Sequence, residues 1–70
     1  MTQPVMNGQR FLYPWQAELR EPHRIKLGVD YAVTRKYGQW HLLCHEVYLR
    51  TITEIALKYG AEFHTIHTFN

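Results

Sequence analysis

Two runs of alternating side chains, one on each side of a glycine turn, constrain this chain more than any other feature. Along residues 24–35, Ile25, Leu27, Val29, Tyr31 and Val33 fall on one side, with Arg24, Lys26, Asp30 and Thr34 on the other. A period of two, rich in β-branched and aromatic residues, is the pattern of a strand with one buried face. Gly28 and Ala32, in the polar register, are small enough to admit a close neighbour. Lys36-Tyr37-Gly38-Gln39 then reads as a hairpin turn, with Gly38 supplying a positive φ. Trp40, Leu42 and Cys44 alternate with His41, Leu43 and His45, so a second strand is expected over 39–45.

The period changes after that. Tyr48, Ile52, Ile55, Ala56 and Tyr59 recur at helical spacing, which predicts a helix near 46–59 with one apolar face. Thr51-Ile52-Thr53-Glu54 has the spacing of a capping box, and Gly60 stands where a left-handed residue ends a helix. Residues 62–69 return to alternation with Phe, Thr, Ile and His, which favours a third strand. Upstream, Pro14 and Pro22 bracket a segment that fits a helix of about two turns, Pro14 occupying its first position. Residues 1–10, with Pro4 and the Asn7-Gly8 pair, read as an arm. The expected fold is α+β: an N-terminal arm with a short helix over 1–22, then a small β-β-α-β domain over 23–70. In it one helix packs on a three-stranded sheet.

Seventy residues form one small domain, too short for a doubly wound nucleotide-binding fold or a barrel of eight βα units. Cys44 is the only cysteine. A disulfide-stapled secreted scaffold is therefore excluded, and a reducing, cytoplasmic setting is expected. Met1-Thr2-Gln3-Pro4 does not read as a secretory leader and no apolar run reaches membrane-spanning length, so no membrane partner is expected. With 46% of its residues apolar and only 20% charged, the chain has the composition of a folded domain. The net charge of +2 is too mild to demand a nucleic acid. It is unevenly placed: residues 20–36 hold five basic and two acidic side chains.

Chemistry-bearing constellations are sparse. Serine is absent, which removes serine-nucleophile schemes. Cys44 and His45 are adjacent and would point apart on a strand, out of reach for a thiol–imidazole pair. On strands His41 and His45 share a face opposite Cys44, while His64 and His67 face opposite ways, a poor basis for tetrahedral ligation. The four glycines are scattered, so no phosphate-cradling loop is formed. The expectation is a non-enzymatic protein with no metal and no cofactor.

What remains points to interaction. Phe11, Tyr13 and Trp15 lie in the proline-punctuated segment, and Arg20, Arg24 and Lys26 follow directly. Aromatic residues and arginine anchor interfaces because each combines large contact area with a polar handle. These six are the candidate partner-binding residues. For Trp15 the competing reading is that it folds back to cover the open sheet face, the one the helix leaves uncovered. The function expected is modulation or inhibition of a larger protein partner. The chain is also expected to form a homo-oligomer, because one helix leaves the sheet face bearing His41, Leu43, His64 and Ile66 open. The alternative is a DNA-binding regulator: Thr53–Gly60 resembles the second helix and turn of a helix-turn-helix, with 61–69 as its recognition element. Nucleic acid is thus the second partner class.

Overall fold

The computed structural model describes residues 13–70; the expected arm over 1–10, and Phe11 with it, lie outside them. The element order is α1 (Pro14–Arg20), β1 (Tyr31–Lys36), β2 (Gln39–His45), a 3-10 turn (Glu46–Tyr48), α2 (Leu49–Lys58) and β3 (Phe63–Phe69). The fold is α+β. The strands form one sheet in the order β1-β2-β3, with β1 and β2 antiparallel and β2 and β3 parallel.

The hairpin follows from its turn. Lys36 pairs with Gln39, and the two residues between them, Tyr37 and Gly38, take φ of 53° and 77°. Two consecutive left-handed residues give the turn whose twist matches that of paired strands. From there β1 and β2 run in register to Tyr31 opposite Cys44. Phe63–Phe69 is a strand, so the recognition helix required by the helix-turn-helix reading is not formed.

β1 begins at Tyr31, not at residue 24. The alternation over 24–30 is real in sequence, but the backbone there does not extend. Arg24 has φ 59° and Gly28 φ 87°. The Asp30 carboxylate accepts the Lys26 N–H at 2.7 Å, and the Lys26 carbonyl accepts the Asp30 N–H at 2.8 Å. This reciprocal clasp closes a turn that a local carboxylate favours over a ladder. Leu27 and Val29 accordingly stay 43% and 69% exposed instead of joining the sheet's buried face, while Ile25 is buried.

The expected capping box is also displaced. α2 begins at Leu49 after the 3-10 turn, so Thr51 lies inside the helix. The side chain that bonds the backbone is Thr53, whose Oγ1 donates to the Leu49 carbonyl at 2.9 Å. The helix ends as its sequence indicates. Gly60 has φ 85°, and the Ala61 N–H donates to the Ala56 carbonyl at 2.9 Å. Gly60→Ala is expected to lower stability by about 1 kcal/mol, because an added Cβ disfavours this backbone conformation. A denaturant titration with an unchanged midpoint would contradict it.

Both helices cover one face of the sheet. Trp15, Leu19, Ile25, Tyr31, Leu42, Cys44, Ile52, Ile55 and Ala56 form the core, with Val33, Tyr48, Leu49, Ala61 and Phe63 packed around it. α1 is thus a second helix on the layer occupied by α2. The two are tied outside the core, where Glu18 accepts from the Tyr59 hydroxyl at 2.6 Å and from Lys58 Nζ at 2.8 Å.

The other sheet face is uncovered by any described element. His41 and His64 meet there with ring centroids 5.6 Å apart, and His45 and Phe69 at 4.1 Å. Ile66 does not share it. The β2–β3 register slips between Trp40–Phe63 and His41–Thr65, and such an irregularity shifts every following side chain by one position. Ile66 then pairs with buried Leu42 and borders Thr53 and Leu57 on the helix side.

Candidate functional site

Among the described residues a shallow groove lies at the C-terminal end of α1, lined by Arg20, Glu21, Pro22, Arg24 and Lys26. Its shape comes from how the chain leaves the helix. Pro22 forces Glu21 out of the helical region, and Glu21 has φ −145° and ψ 123°. The chain then doubles back: the Arg24 N–H donates to the Arg20 carbonyl at 3.1 Å and the Ile25 N–H to the Leu19 carbonyl at 2.9 Å. Ile25 is thereby drawn into the core beside Leu19, and Arg24 is left on the outside. The Lys26–Asp30 clasp fixes the following residue.

Three of the six sequence-predicted residues are therefore brought together, and all three are exposed. The lining carries three cationic side chains and one acidic one, Glu21, with the Asp30 carboxylate engaged by the Lys26 N–H, so the groove favours an anionic ligand. Arg24 holds a left-handed conformation that costs a non-glycine residue roughly 1–2 kcal/mol. Glycine would occupy the position with less strain, but an arginine stands there and is directed outward.

The aromatic residues are placed differently. Tyr13 precedes the opposite end of α1, where its N–H donates to Gln16 Oε1 at 2.9 Å. Its half-exposed ring stands edge-on to Trp40 at 5.1 Å. Trp15 is 2% exposed and belongs to the core, not to an arm. Its indole packs edge-on against Trp40 at 5.9 Å and Phe63 at 5.5 Å, and lies 6.3 Å from Tyr31. Aromatic edges meeting faces in this way add to area burial; the residue is buried as the competing reading expects, but on the helix-covered face of the sheet and not on the open one.

Sequence reasoning did not include Glu21 and Pro22 in the site. The proline was visible, but its effect on the path of Arg24 depends on the Leu19–Ile25 closure, which local pattern does not encode. It also did not identify Arg35, whose guanidinium lies over the Trp40 ring at 5.0 Å from the centroid and reaches the Gly38 carbonyl at 3.4 Å.

The remaining reactive groups are set apart. Cys44 is fully buried beneath the helices, and burial pushes its thiol up from the ordinary range. Among the described residues no three His, Cys, Asp or Glu side chains assemble in a geometry that could hold a metal ion. Among them too, no helix is long and apolar enough to cross a membrane. No protein-family model, curated protein or solved structure matches the chain.

Proposed function

We propose that this chain is a small non-enzymatic interaction protein that modulates a larger protein partner, and that it engages an acidic segment of that partner through the groove of Arg20, Arg24 and Lys26. The observation that carries the reading is Arg24: a cationic side chain held outward at φ 59°, between two further cations, where the fold itself would be served by glycine. Strain retained at an exposed charged position supports a role in binding. Tyr13, beyond the other end of α1, offers an aromatic surface for the same extended ligand. A short helix, a proline turn and a clasped loop fix the backbone under all three cations before any partner arrives, which lowers the ordering cost of association.

The test separates binding from stability. Arg24→Gly is expected to raise the unfolding free energy by about 1 kcal/mol, because it relieves the left-handed strain. The same variant is expected to weaken binding of a fluorescein-labelled glutamate-rich peptide by about 2–5-fold, the scale of one exposed ion pair. Charge reversal with Arg24→Glu and Lys26→Glu together should abolish that binding and leave the unfolding midpoint near the parent's. Affinity in the parent should fall as salt is added. Anisotropy that is equal for parent and double variant at low salt would overturn the proposal.

A further inference from the structure

β3 reads Phe63-His64-Thr65-Ile66-His67-Thr68-Phe69. Its order of side-chain classes is the same from either end: aromatic, two polar residues, isoleucine, two polar residues, aromatic. It is an edge strand, next to β2 on one side and unpaired on the other among the described residues. It contains no charged residue and no proline, two of the devices by which proteins blunt an exposed edge, and its irregularity lies before Thr65, so that 65–69 pairs regularly with β2. The opposite edge is blunted. β1 carries Arg35 and Lys36, and the 26–30 turn lies against its start, with a bridge from Leu27 to Tyr31 and the Gly28 N–H donating to the Tyr31 carbonyl at 2.7 Å.

We infer that the free edge of β3 is a self-association site whose occupant is β3 of a second copy of this chain, paired antiparallel about a two-fold axis at Ile66. In that register Ile66 of one copy opposes Ile66 of the other and His67 opposes Thr65, whereas His64, turned to the His41 face by the irregularity before Thr65, lies on the other face from Thr68 and makes no facing pair with it. No like-charged pair arises, and β-branched residues face each other along the middle of the contact.

A second observation lies at the same edge. α2 overhangs β3 there, and Thr53, Leu57, Ala61, Glu62, Phe63 and Ile66 line a shallow groove whose one charged residue, Glu62, lies before the strand begins. Leu57 and Ile66 are 59% and 42% exposed. The two-fold axis brings both pairs together, so that Leu57 and Ile66 of each copy form one apolar cluster on the helix side. The sheet continues as six strands. Because each copy has one unblunted edge, the pairing closes at two subunits and does not propagate into a fibre.

The inference is independent of the groove of Arg20, Arg24 and Lys26, which contains no residue of β3. Sedimentation equilibrium of the full chain at micromolar to millimolar concentration should give a dimer. Ile66→Lys, at a half-exposed position, should give a monomer with the parent's circular dichroism. Ile66→Cys should form a covalent dimer under mild oxidation, because residue 66 faces its own copy, while buried Cys44 stays unreactive. Thr34→Cys on β1 should remain uncrosslinked. A monomeric parent, a dimer that survives Ile66→Lys, or crosslinking no faster at residue 66 than at residue 34 would each overturn it. Should Ile66→Lys fail to fold, the comparison of the two cysteine variants decides alone.

Discussion

Trp15→Ala is expected to lower the unfolding free energy by about 3–5 kcal/mol, the usual cost of removing a buried large aromatic side chain. The indole sits where α1, β1, β2 and β3 meet: its neighbours are Trp40, Phe63 and Tyr31, and it is almost wholly shielded from solvent. Removing it leaves a void that three rigid rings close poorly, and Trp40 and Phe63 each lose an edge-to-face contact. A seventy-residue domain without a disulfide has a stability of the same order as this loss. Much of the variant should therefore be unfolded at ambient temperature. Chemical denaturation followed by circular dichroism checks this. A variant within about 1 kcal/mol of the parent, the range of a surface substitution, would place Trp15 outside the core.

The second large effect is alkaline. Burial pushes the Tyr31 hydroxyl up to about 12, opposed by its hydrogen bond with Gln16. In the unfolded chain a tyrosine ionises near pH ~10. Between these values the folded state holds a proton that the unfolded state has released, so stability falls as pH rises. It is fully present below pH ~10, and the loss is about 2–3 kcal/mol once pH passes the folded value. Tyr59 and Lys58 add to the fall, since their contacts with Glu18 hold their protons as well. Tyr31→Phe should remove most of the slope and leave the part due to Tyr59 and Lys58. An unfolding free energy that does not change between pH ~9 and ~12 would contradict the burial of this hydroxyl.

What the sequence made legible was whatever local pattern determines. The Tyr37-Gly38 turn, the α2 stripe, the left-handed Gly60 and the strand character of 63–69 each follow from a few adjacent residues. What it concealed depended on pairing or on competing local bonds. Alternation over 24–30 looked like a strand because period two reports side-chain order and not backbone direction. The Asp30 clasp and two left-handed residues turned it into a loop. Ile66 was assigned to the wrong face because an irregularity between two strands has no signature in either one alone. The proline-bracketed segment reads as an arm with a short helix; the helix forms over Pro14–Arg20, but an apolar stripe of seven residues does not reveal that it belongs to the core. Yet Trp15 and Leu19 of that stripe are among the most completely buried side chains described. Of the candidate site, Arg20, Arg24 and Lys26 were legible from charge alone, and their convergence required the turn at Pro22.

Isotope-edited NMR of the parent, titrated with a glutamate-rich peptide at low salt, tests the central claim most directly. The account predicts amide shifts concentrated at residues 20–26 with a smaller response at Tyr13, all of them reversed by added salt. Shifts concentrated on the uncovered sheet face at His41, Leu43 and His67, or no shifts at peptide excess, would contradict it.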